Sequence, residues 1–127
     1  MKDSIVKDKS KAFALRIIKL YKYLTTNASE REYVLSKQVL RSGTSIGANV
    51  KEALRGQSKP DFRAKMAIAL KEASETDYWL RLLYRTEALS EEQYTSLCTD
   101  NKRIMGTLVK IINTANKTTQ QGKAKVV

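Results

Sequence analysis

Residues 41–56 read RSGTSIGANVKEALRG, a stretch that ends as an amphipathic helix yet carries Gly43 and Gly47 four positions apart among Ser42, Thr44 and Ser45. Each interior glycine costs a helix about 1 kcal/mol relative to alanine, so some contact must offset it. A phosphate loop does not fit: that motif follows a strand and ends in Gly-Lys-Ser/Thr, whereas no strand precedes Arg41 and Ala48 follows Gly47. A membrane-type Gly-xxx-Gly pair fails because its surroundings are charged. Close packing is left. Ser42, Gly43, Ser45, Gly47 and Ala48 shave one stretch of helix so that another backbone, from a neighbouring helix or another subunit, can approach it.

The sequence around this stretch also has helical period. Phe13, Ile17, Leu20 and Leu24 recur at spacings of four, three and four, which predicts a first helix from about Asp8 to Thr26. The polar TTNASERE breaks it, and Ser29 with Glu32 has the spacing of a capping box for a second helix over about Glu30 to Arg55. That helix points Leu35, Val39, Ser42, Ile46, Asn49 and Ala53 inward and ends at Gly56. Pro60 and Asp61 suit a helix start, and Phe62, Met66, Ala69, Ala73, Thr76, Leu80 and Leu83 carry a third helix to about Thr86. Ser90, capping ahead of Glu91, Glu92 and Gln93, opens a fourth to about Asn116, with Leu97, Ile104, Leu108, Ile111 and Ala115 inward. Four long helices joined by short turns imply an all-α fold, an antiparallel up-down-up-down four-helix bundle spanning 1–116. The aperiodic KTTQQGKAKVV is expected to be a disordered basic tail, 117–127.

Composition agrees with one helical domain, since the 127 residues hold 5 Gly, 1 Pro and 9 aromatics in all. The single Cys98 rules out an internal disulfide, and no apolar run approaches the ~20 residues of a membrane span. A cytoplasmic protein is expected. The net charge of +11 is unevenly placed. Residues 1–22 carry seven bases and two acids, residues 101–127 six bases and no acid, and the middle of the chain balances. In an up-down-up-down bundle the first helix begins where the fourth finishes, so the two basic segments converge into a patch fit for a polyanion.

Chemistry beyond binding is poorly supported. There is no histidine, the commonest general base and bundle metal ligand. Glu72 and Glu75 lie three apart on one face, but such acids are read as partners of Asn49, Arg41 or Arg81 between helices. Cys98 reads as a small buried filler, and Trp79 beside Tyr78 as a packing residue before a stacking platform. Tyr21, Lys22 and Tyr23 are the better aromatic-plus-cation candidate. No cofactor or metal is implied, and no enzyme activity.

The run LRSGTSIGANVKEALRGQSKPDFRAKMAIALKEASETDYWLRLL resembles the 23S rRNA intervening-sequence proteins of bacteria, most specifically in SGTSIGANVKEA, DFRAKMAIALKEASET and YWLRLL. The resemblance runs from the first helix to about Ile112. It implies an antiparallel four-helix bundle assembling as a ring-like homopentamer, kinship with accessory subunits of diversity-generating retroelements, and no established enzyme activity. Under it, Ser42, Ser45, Asn49, Glu52, Glu72, Glu75 and Trp79 are packing and assembly positions, joined by Gly43 and Gly47.

The expectation is therefore an oligomeric, non-enzymatic nucleic-acid-binding protein, RNA before DNA, holding phosphates through Lys9, Lys11, Arg16, Lys19, Lys22, Lys102, Arg103, Lys110 and Lys117. The competing reading is a protein–protein adaptor or accessory subunit of a nucleic-acid enzyme such as a reverse transcriptase. A metalloenzyme is a distant third.

Overall fold

The computed structural model describes the backbone of residues 2–27, 31–56 and 58–126, and the side chains of 4–26, 31–56 and 58–118. It contains α1 (Lys2–Lys22), a π-helical turn (Tyr23–Asn27), α2 (Val34–Leu54), α3 (Lys59–Arg85) and α4 (Glu91–Val126), with no strand among the described residues. The helices pack in cyclic order: α1 on α2, α2 on α3, α3 on α4, and α4 back on α1. One apolar core runs between them, with Phe13, Ile17 and Leu24 from α1, Ile46 and Val50 from α2, Met66, Leu80 and Leu83 from α3, and Ile104 and Leu108 from α4.

α1 begins earlier than its Phe13-led stripe suggests, because Val6 and Ser10 are also fully buried and extend the inward line towards the N-terminus. α2 starts at Val34. Ser29 of the expected capping box lies outside the described residues, while the Glu32 carboxylate accepts the backbone N–H groups of Leu35 and Ser36 at 2.9 and 2.7 Å. These are two of the four orphan donors of a helix start.

α3 is capped by the Ser58 hydroxyl, which accepts from the Asp61 N–H at 3.2 Å, with Pro60 in its first turn. Ser90 and Gln93 close a reciprocal box at the start of α4: Gln93 N–H donates to Ser90 Oγ at 3.1 Å, and Ser90 N–H to Gln93 Oε1 at 2.9 Å.

The α3–α4 turn ends α3 in a Schellman arrangement. The Ala88 N–H reaches Leu83 O at 2.8 Å and the Glu87 N–H reaches Tyr84 O at 3.0 Å, with Glu87 at φ 67°. That is the left-handed position where glycine is usual.

α4 carries helical backbone to Val126, past the boundary expected at Asn116. Nothing in KTTQQGKAK forbids this, since it holds no proline and extending a formed helix adds one bond for each residue fixed. At the last described side chains Ala115 is half-buried, whereas Asn116, Lys117 and Thr118 are exposed.

The α1–α2 seam, which involves both Gly43 and Gly47, answers the question raised by the sequence. A Cβ on Gly43 would lie 2.8 Å from Ile17 Cγ1, closer than real side chains approach. α1 therefore packs on α2 through the space Gly43 leaves. Gly47 faces the Ser10 backbone, but its Cβ would sit at 3.4 Å, an ordinary contact. The partner is a helix of the same chain, and the contact requires only one of the two glycines.

Candidate nucleic-acid interface

The basic residues on α1 and α4 are arranged by the seven-residue repeat of helix faces. Lys9 and Arg16 share one face of α1 beside the core, and Arg103, Lys110 and Lys117 share one stripe of α4. Lys9, Phe13 and Arg16 meet Asp100, Arg103 and Ile104 around a cleft of about 140 Å³ between the two helices. Arg16 is already engaged there. Its guanidinium donates to the Asp100 carboxylate and, at 2.8 Å, to Ser96 Oγ. Lys9, Arg103, Lys110 and Lys117 are exposed. Lys11, Lys19 and Lys22 stand on the solvent side of α1, and Lys102 is turned roughly 100° around α4 from Arg103. Among the described residues Arg16 is the one of these nine cations that pairs with an acid. Asp100 is the last acid in the sequence, so every charge of α4 beyond it is positive.

The residues read as packing and assembly positions fall mainly on the α2–α3 seam. Thr76 Oγ1 lies 2.8 Å from Glu72 O and 2.9 Å from Ser42 Oγ, and both hydroxyls are fully buried. A hydroxyl has one proton, so Thr76 donates to the carbonyl and accepts from Ser42. Towards the surface Arg41 bridges Glu72, at 3.3 Å, and Glu75, and Trp79 Nε1 donates to Glu75 Oε1 at 3.3 Å. The hydrogen bond from Arg41 holds the Glu75 carboxyl below its ordinary range, with Trp79 adding to it, and Glu75 in turn raises Arg41. Glu52 pairs with Lys65 at 3.0 Å and pushes that ammonium's pKa up.

Two partners expected for the acids differ. Asn49 donates to Ser45 O of its own helix at 2.8 Å, and Arg81 pairs with Asp77 at 3.5 Å. Asn49 is only half-buried because Val50 takes the core position beside it. Ser45 turns its hydroxyl back to Arg41 O at 2.6 Å. Trp79 packs against the core, and Tyr78 meets it edge-on at 5.0 Å while remaining 55% exposed.

Two features were missed in the sequence. Asn101 is fully buried; its amide donates to Ala73 O at 2.8 Å and its Oδ1 has no partner among the described residues. The signal was the missing apolar residue between Leu97 and Ile104 at helical spacing. The second is a broad groove of about 1420 Å³ at the end of the molecule where the α1–α2 and α3–α4 connections lie, lined by Tyr23, Arg31, Arg81, Tyr84, Arg85 and Tyr94 among others. Tyr84 and Tyr94 stack there with centroids 4.6 Å apart and planes 8° from parallel. Partial burial and the neighbouring Cys98 thiol raise the Tyr94 hydroxyl pKa, and Arg81 opposes the rise. The residues of this groove are scattered over four chain segments, which spacing along any one helix cannot reveal.

Among the described residues no group of three or more His, Cys, Asp or Glu is placed to hold a metal ion. No helix among them is long and apolar enough to cross a membrane. Cys98 is buried with its thiol 3.5 Å from Asp77 Oδ1.

A family model described as 23S rRNA-intervening sequence protein matches residues 2–110. A solved structure from Bacteroides thetaiotaomicron, described as a protein with unknown function from the S23 ribosomal protein family, is 56% identical. The match covers 89% of this chain and 99% of that one, with a TM-score of 0.86. No curated protein matches.

Proposed function

The chain belongs to the 23S rRNA-intervening sequence protein family, and from that premise we propose that it is a non-enzymatic, cytoplasmic, oligomeric protein that holds RNA by its phosphates along α1 and α4. The observation that carries this reading is the acid-free stretch of α4 beyond Asp100, where Arg103, Lys110 and Lys117 stand exposed on one stripe with Lys9 across the cleft. Lysine and arginine on rigid helices neutralise successive phosphates and release condensed counterions, which makes binding strong at low salt and indifferent to base sequence.

The same reading includes an antiparallel up-down-up-down bundle and a ring of five copies. The pairings Ile17 with Gly43 and Ser10 with Gly47, Arg41 with Glu75 and Glu52 with Lys65, and Ala73 with Asn101 and Tyr84 with Tyr94 support the antiparallel order, since one index falls as the other rises. The ring rests on the family resemblance. In support, the outer face of α3 exposes small and apolar residues, Ala64, Ala67, Ile68, Ser74 and Tyr78, with Lys71 as the charge among them, a surface suited to another protein. Five copies multiply weak phosphate contacts into avid binding.

The test is a Lys110→Glu, Lys117→Glu double variant, exposed on both counts. It should keep the helical circular dichroism of the parent and lose at least about tenfold in RNA affinity at low salt. Unchanged affinity would refute the assignment of the face. The adaptor reading draws on the same α3 surface, and predicts feeble RNA affinity at physiological salt together with a stable protein partner.

A further inference from the structure

We infer that the groove at the turn end of the molecule seats one unpaired nucleotide of a single strand, its base against the tyrosines and its phosphate on Arg31 and Arg85. This extends the phosphate-binding reading above and rests on it for the rest of the strand. The groove has the two components such a ligand requires. One is aromatic surface: the stacked Tyr84–Tyr94 pair, with Tyr23, 40% exposed, lining the same groove. Base–aromatic stacking is sequence-tolerant because every base has a π-face.

The other component is exposed cation. Arg81 is tied to Asp77 at 3.5 Å, whereas Arg31 and Arg85 are exposed and make no ion pair with a described residue. Of the two acids in the wall, Glu32 is occupied by the Leu35 and Ser36 N–H groups. Glu87 stands exposed at the turn. It can accept from a base amine or a ribose hydroxyl, which beside the aromatic surface suits a nucleotide better than an acidic peptide. Lys19 and Lys22, in the last turn of α1, lead along the helix to Tyr23. A strand lying on the α1 cations would therefore reach the groove, while a duplex would keep its bases stacked and unavailable.

Two probes separate the groove from the α1–α4 face. AMP alone reports the groove, read by NMR as shifts of the Tyr23, Tyr84 and Tyr94 ring signals. Anisotropy with a single-stranded RNA of about 12 nucleotides and a duplex of equal length reports the strand, a length within the usual single-strand site size. AMP should shift all three tyrosines. The Arg31→Ala, Arg85→Ala double variant should lose about tenfold for the single strand and little for the duplex, a loss in line with a stacked, phosphate-held base. Both arginines are exposed, so circular dichroism should match the parent.

Tyrosine signals that ignore AMP, or a variant that weakens both RNAs equally, would overturn the groove assignment while leaving the α1–α4 face standing. Shifts with AMP but no binding of either RNA would sink the face alone and keep the groove as a nucleotide site. Equal shifts with hexaglutamate would overturn the nucleotide in favour of an acidic peptide.

Discussion

α1 is held on two sides by seams of opposite kind. Against α2 the contact is close: Gly43 leaves no room for a Cβ beside the buried Ile17, and the Ser10 backbone lies over Gly47. Against α4 it is more open, with a cleft beside Phe13 and Ile104, and the surface contact is an ion pair between Arg16 and Asp100, both more than a third exposed. Removing side chains gives rigidity through dispersion and burial, which depend steeply on fit. Leaving charged side chains gives a surface that other charges can enter, at little gain in stability. The tight seam fixes α1, and the open seam carries the cations proposed to meet RNA.

The comparison breaks most visibly at Gly43. Gly43→Val should cost about 3 kcal/mol, because Ile17 is β-branched and buried and cannot swing aside. Thermal unfolding should show a fall of order 10 °C. An unchanged midpoint would mean that the close seam is not what holds α1.

A middle-sized effect belongs to the α2–α3 seam. Thr76→Val keeps the shape but strands the buried Ser42 hydroxyl, a loss of about 1–2 kcal/mol in denaturant titration. At the surface of that seam, Arg41→Ala should cost about 1 kcal/mol or less. Its pH dependence has a definite sign. The Glu75 carboxyl is held below its ordinary value by Arg41, so the stabilisation is full above that ordinary value and disappears as pH falls through the lowered one. Parent and variant should therefore converge in acid; a gap that persists there would show that Arg41 acts by packing and not by charge.

The smallest expected change has the opposite direction. Gly47→Ala meets Ser10 only at ordinary contact distance, so helix propensity should win and the protein should gain about 0.5–1 kcal/mol. A loss would show the seam to be tighter at Gly47 than its geometry indicates.

The same contrast explains what the sequence revealed. Apolar period located all four helices, because burial enforces it: Ile17, Ile46, Leu80 and Leu108 each lie on the stripe that spacing selects. Ser90 and Pro60 marked helix starts correctly because caps are local chemistry. Legibility stopped where one residue's role depends on a distant backbone. Gly43 and Gly47 look alike in the sequence and differ in the fold by a few tenths of an ångström of free space beside α1. Asn49 lay on the inward line but turned to its own helix, and polar Asn101 took a core place. The α1–α4 charge excess could be read from composition, but the Arg16–Asp100 pair that offsets part of it could not, nor could the tyrosine–arginine groove built from four segments.

The central claim is that the open seam, with the cations around it, reads phosphates, and Asp100 offers the most direct test. Asp100→Asn removes the one acid among the described residues lining that cleft and frees Arg16. Measured by anisotropy on duplex RNA across a salt series, the account predicts affinity a few-fold tighter than the parent at low salt. It also predicts a log–log salt slope steeper by about one phosphate contact. Affinity and slope equal to the parent's would contradict the claim and leave the basic band of α1 and α4 without a part in RNA binding.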